Sequence, residues 1–112
     1  MVSSNTQISP QVKAWIEIER KVQFFFISAK LQNQTCKVLN LDYVLETRKE
    51  GGFNSSNTVQ KGKCISQNQR IISLSESGIN LNRKENLIAS LEVFCEGRMI
   101  ARDLVVFQGD NP

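Results

Sequence analysis

Carboxylates, thiols and cations carry whatever chemistry this chain can do. Glu17 and Glu19 are two residues apart. In an extended segment that spacing puts both carboxylates on one face about 7 Å apart, within the range of glycosidase acid–base pairs. The plainer reading, a solvated outer face, is the expectation. Cys36, Cys64 and Cys95 are widely spaced, with no Cys-x-x-Cys and no second pair, so neither a zinc site nor a thioredoxin-like centre is encoded. Their odd count leaves two states open: three thiols partly in the core, or one disulfide and one thiol. Histidine is absent, which removes the usual general base, the commonest metal ligand and every His-dependent nucleophile. Gly51-Gly52 and Gly62 match neither GxGxxG nor a P-loop. No catalytic residue, metal site or cofactor is assigned, and the composition favours a binding module over an enzyme.

The cations are unevenly placed. Arg20, Lys21, Lys30 and Lys37 occupy a stretch between Glu19 and Asp42 without one acidic residue, and Lys61, Lys63 and Arg70 occupy another between Glu50 and Glu76. The net charge is +3, and the remaining segments are net negative. Two such stretches can generate a positive field that attracts an acidic or disordered partner and weakens in salt. Lysines on exposed strands also discourage unwanted strand addition. The cations lack the interleaved aromatics of an RNA-binding sheet, so no nucleic-acid partner is expected.

The elements that position these groups follow a period of two. A chain of 112 residues with 40% apolar content suits one globular domain, its core spanning about 12–108. Ala14, Ile16 and Ile18 alternate with Trp15, Glu17 and Glu19, the pattern of a half-buried strand. In 22–32, Phe25, Ile27, Ala29 and Leu31 share a face; in 36–48, Leu39, Leu41, Tyr43 and Leu45 point inward and Asn40, Asp42 and Glu46 outward. Gly51-Gly52 predicts a turn. Segment 53–64 reads as a polar edge strand ending near Gly62, and 69–75 as a short strand broken by Ser77-Gly78. Leu87, Ala89, Leu91, Val93 and Cys95 share one face of 85–96, and Glu96-Gly97 turns that strand into 98–108. The expected fold is all-β, an immunoglobulin-like β-sandwich of about seven antiparallel strands, without the usual disulfide between the second and sixth strands. The run Phe24-Phe25-Phe26-Ile27, bracketed by Lys21 and Lys30, predicts a central strand; alternatively, Phe24 and Phe26 stay exposed as apolar contacts. It is too short to span a bilayer, and the N-terminal residues lack the pattern of a secretory signal.

In Ala14-Trp15-Ile16-Glu17-Ile18, Leu41-Asp42-Tyr43-Val44-Leu45, the stretch Gly51-Gly52-Phe53-Asn54-Ser55-Ser56 with Gln60-Lys61-Gly62 beyond it, and Ala89-Ser90-Leu91-Glu92-Val93 with Gly97, the chain resembles the curli-assembly family CsgC/CsgH over about 12–107. The resemblance implies a small periplasmic immunoglobulin-like protein that keeps disordered curli subunits from forming amyloid. CsgC members carry a Cys-x-Cys pair; here Cys36 and Cys64 are isolated, which speaks against thiol exchange and for the CsgH side. It also implies a monomer, with no membrane insertion and with its signal segment already removed. Charge placement then nominates Lys61, Lys63 and Arg70 as client contacts, with Lys30 and Lys37 second. The alternative is a structural or adhesive immunoglobulin-like module of a surface or fimbrial assembly.

Overall fold

Alternating side chains and the pairing of one stretch with another build eight strands: β1 (Val2–Gln7), β2 (Val12–Arg20), β3 (Phe25–Asn33), β4 (Leu39–Glu50), β5 (Ser56–Ser66), β6 (Ile71–Ile79), β7 (Asn86–Cys95) and β8 (Arg98–Gln108). The computed structural model describes residues 2–7, 11–22, 24–51, 55–67, 69–81 and 85–108. One sheet has the order β1-β8-β7-β4-β5 and the other β2-β3-β6, every neighbouring pair antiparallel. In immunoglobulin lettering, β2, β3 and β6 take the places of A, B and E, and β8, β7, β4 and β5 those of G, F, C and C′. The class is the expected sandwich. No helix among the described residues is long and apolar enough to cross a membrane.

The inward sets meet as their period requires. Ala14 and Ile16 of β2 and Ile27, Ala29 and Leu31 of β3 pack against Leu41, Leu45, Leu87, Leu91, Val93 and Val105 of the larger sheet. Burying each of these leucines stabilises the fold by about 1.5–3 kcal/mol. At one end Phe25 meets Phe107 edge-on, ring centroids 4.9 Å apart, and the Arg20 guanidinium covers Phe25 from 5.4 Å. The opposite end is organised by Asn33. Strands β7 and β8 form the expected hairpin, with Glu96 at φ 53° and Gly97 at φ 77°; this two-residue turn with both φ positive matches the twist of its strands.

Four expectations are corrected. Segment 2–7, Val-Ser-Ser-Asn-Thr-Gln, shows no apolar alternation and lies before the expected core, yet it is a strand through its ladder with β8, from Val2↔Val106 to Gln7↔Ala101. Strand β5 does not end near Gly62 but continues to Ser66. Gly62 faces Tyr43 across the ladder, and a Cβ there would lie 2.5 Å from the tyrosine hydroxyl oxygen, so the glycine accommodates a ring. Ser77-Gly78 likewise lies inside β6, where the Phe24 ring sits 3.1 Å from the place of a Gly78 Cβ. Finally, β3 begins at Phe25 rather than 22, because the Lys21 amide donates to the Phe24 carbonyl at 2.8 Å and turns the chain there. The phenylalanine run does enter a central strand; Phe26 is half-buried and Phe24, just before the strand, is 41% exposed. Of the Gly51-Gly52 turn, Gly51 has φ 96° and Gly52 lies outside the described residues.

Candidate functional site

The five nominated cations fall into two settings. Lys61 and Lys63 lie on the outer face of β5, either side of Gly62 and opposite Val44 and Asp42 of β4. Both are exposed. Arg70 is exposed in the β5–β6 connection and Lys37 in the β3–β4 connection. Lys30 stands apart, on the outer face of the three-stranded sheet opposite Trp15, with its Nζ 2.9 Å from Glu17 Oε1.

Asn33 joins the first group from beneath. This last residue of β3 is fully buried, and its Nδ2 donates to the carbonyls of Lys37 (2.8 Å) and Ser66 (3.2 Å). Its Oδ1 accepts from the Thr35 amide at 2.9 Å and the Thr35 hydroxyl at 2.6 Å, an Asx-type turn. Its own carbonyl accepts from the Gln69 amide at 2.6 Å, and Gln69 adopts φ 66°. Asn33, through its side-chain amide and its backbone carbonyl, thereby ties together the loops bearing Lys37 and Arg70 and the end of the strand bearing Lys61 and Lys63. Sequence reasoning did not nominate Asn33; the available signal was the Asn-x-Thr spacing of Asn33 and Thr35, which favours such side-chain-to-backbone bonds.

The electrostatic contrast is sharp. Among the described residues the ion pairs are Lys21–Glu19, Lys30–Glu17 and Arg48–Glu50, and Lys37, Lys61, Lys63 and Arg70 enter none of them. A cation without a fixed carboxylate keeps its field available to a partner, while a paired one is largely spent on its neighbour. Four of the five nominated cations therefore lie along β5 and over the Asn33 end outside these ion pairs, Lys63 with Asp42 across the ladder from it, whereas Lys30 is paired.

The carboxylates and thiols do not assemble a reaction centre among the described residues. Glu17 accepts from Trp15 Nε1 at 2.8 Å and from Lys30 Nζ at 2.9 Å. The Trp15 bond and then Lys30 hold its carboxyl below the usual carboxylate range, opposite to the raised value of a general acid. Glu19 is held by Lys21 at 2.9 Å. Cys36, Cys64 and Cys95 are free thiols. Burial, with the nearby Asp42 charge second, pushes the Cys64 thiol up, which keeps it a poor nucleophile at neutral pH. Cys36 and Cys95 line a cleft of about 490 Å³ at the Asn33 end together with Val12, Lys37, Leu39 and Ile100.

The edges of the sheets differ in how they are finished. Asp103, on the inner side of β8, is 2% exposed, and its Oδ2 accepts from the Ile16 amide of edge strand β2 at 2.8 Å. A backbone donor of that edge is thereby satisfied from inside the molecule. On the β6 edge the register slips between Ala29 and Lys30 of β3, a bulge that interrupts the ladder, and the Tyr43 hydroxyl donates to the Leu74 carbonyl at 3.0 Å. Strand β5 has neither device: it pairs with β4 without a shift from Leu39↔Ser66 to Lys49↔Ser56, and Ser56 to Lys61 are all exposed.

No protein-family model matches the chain and no curated protein matches its sequence. Among solved structures, the chain is similar to the solution structure of R. palustris CsgH, with a TM-score of 0.66 and 15% identity over 83% of this chain and 90% of that one. It is also similar to the E. coli curli protein CsgC, with a TM-score of 0.66 and 12% identity over 83% of this chain and 95% of that one. At these identities the likeness is one of architecture, and the protein has a CsgC/CsgH-like fold.

Proposed function

We propose that this protein is a curli-system chaperone, a periplasmic monomer that delays amyloid formation by a curli subunit through transient, non-catalytic contact. The observation that carries this reading is the CsgC/CsgH-like fold extending over 83% of the chain, one of the two counterparts being a curli protein. The charge arrangement supports it. Amyloid grows from a rare nucleus of paired strands, so a weak binder that meets the chain before or at that stage acts at low stoichiometry. Unpaired surface cations bring such a binder to its client quickly without the large apolar contact that would hold it in the fibre. Lys61, Lys63 and Arg70 are the first client contacts, Lys37 extends them, and Lys30 is the weakest because Glu17 already holds it.

The test is fibril formation by a curli subunit followed by dye fluorescence, with this protein well below equimolar amounts. A prolonged lag is the expected result. No delay even at equimolar protein overturns the reading and leaves a structural or adhesive module that binds a fixed partner.

A further inference from the structure

The β5 edge and the opening beside it form a second kind of contact surface. Strand β5 ends its sheet, so alternate residues turn a backbone N–H and C=O away from β4. Next to this edge the two sheets part. Gln60 of β5 hydrogen-bonds to the Ser75 hydroxyl of β6 at one end, and the Lys49 Nζ donates to the Asn80 carbonyl at 3.2 Å at the other. Between these two latches lies a cleft of about 350 Å³ walled by Thr47, Ser56, Thr58 and Ser77, with Leu45 and Ile79 deeper in. The outer face of the same strand carries Lys61 and Lys63 with Val59 and Ile65, which are 50% and 68% exposed.

We infer that β5 receives an extended segment of an unfolded polypeptide as an added antiparallel or parallel strand, acidic and apolar on one face and small-hydroxyl or amide on the other. Backbone pairing supplies the affinity in this mode, and the alternating side chains supply the choice of partner. Outward positions of the guest meet Lys61 and Lys63, which select carboxylates, and Val59 and Ile65, which accept apolar groups. Inward positions meet the hydroxyl-lined cleft, where side chains that donate and accept hydrogen bonds fit better than charges. Charge also excludes a second copy of this chain: two β5 edges laid together would place four lysines on one outer face, and like charges facing across strands are destabilising. The inference deepens the chaperone reading and rests on it only for the identity of the guest.

The probe is a synthetic peptide in which Asp and Val alternate with Thr and Gln, compared with two N-methylated versions, one methylated at the Asp and Val positions and one at the Thr and Gln positions. Strand addition needs the amides of one set alone. One methylated peptide should bind like the parent and the other roughly tenfold weaker or worse, while alternate amides between Ser56 and Ser66 gain protection from hydrogen exchange. Thr58→Arg, an exposed position whose new side chain enters the cleft, should weaken the parent peptide similarly. Equal binding of both methylated peptides, loss of both, or unchanged protection in β5 overturns the inference. The fibril assay separates the two claims. A delay that persists in full with Thr58→Arg overturns the edge as the client's site and leaves the chaperone reading standing; peptide binding without any delay by the wild type upholds the edge and removes the chaperone reading.

Discussion

Strands β2 and β5 both sit at sheet edges, yet they are finished in opposite ways. The β2 edge is answered from within by the buried Asp103 carboxylate, which accepts from the Ile16 amide. The β5 edge is left open and guarded from outside by Lys61 and Lys63. A buried carboxylate removes an edge from commerce with other chains and makes it part of the fold. A surface lysine blocks apolar and like-charged strands but leaves the backbone groups in place for a partner of complementary charge.

Four experiments break or sharpen that contrast. Asp103→Ala should have the largest effect on stability, about 2–3 kcal/mol by urea denaturation, because it strands the Ile16 amide away from water; a loss within about 0.5 kcal/mol would show that the β2 edge is not closed this way. Gly62→Ala comes next. The new methyl must displace the Tyr43 ring and with it the hydroxyl bond to Leu74, at a cost of about 1–3 kcal/mol, and Gly62→Ala combined with Tyr43→Leu should recover part of that loss. Lys61→Glu with Lys63→Glu should move the urea midpoint little, within about 0.5 kcal/mol, yet abolish the delay of curli-subunit fibrils, while raised salt should weaken the wild type's delay. An unchanged delay in the reversed variant would refute the electrostatic contact. The smallest effect belongs to Glu17. Its carboxyl is held below its unfolded value, so its contribution is present above the ordinary carboxylate range and is lost as pH falls through the folded value. Glu17→Gln should flatten the acid limb of stability slightly, by lowering neutral-pH stability a little while leaving low-pH stability unchanged; because Glu17 is half exposed, solvent screening keeps the effect small.

Much of the framework was legible because strand burial is a local signal. The set Ala14, Ile16, Phe25, Ile27, Ala29, Leu31, Leu41 and Leu45 faces inward as the period of two required, and Gly97 marked the hairpin because glycine takes positive φ at no steric cost, while Glu96 takes φ 53° in the same turn. The glycines misled for the same reason. Gly62 and Gly78 read as breaks, since their need is set by the rings of Tyr43 and Phe24, of which Tyr43 lies nineteen positions away from Gly62 along the chain. The cations were legible as residues and not as a surface, because only Asn33 and the β4–β5 register determine which of them lie at one end.

Alternation of apolar and polar residues by itself determined the all-β class and the inward face of most strands, the Glu96-Gly97 pair placed the final hairpin, and composition excluded a histidine-based centre. Alternation did so because side-chain direction in a strand depends only on parity. Tertiary structure alone decided that β1 pairs with β8, that β5 rather than β2 is the open edge, that Asp103 answers Ile16 across the sheets, and that Lys30 is held by a carboxylate while Lys61 and Lys63 are not. Each of these depends on which strand lies beside which, and a backbone hydrogen bond between distant segments leaves no period in the sequence from which to read it.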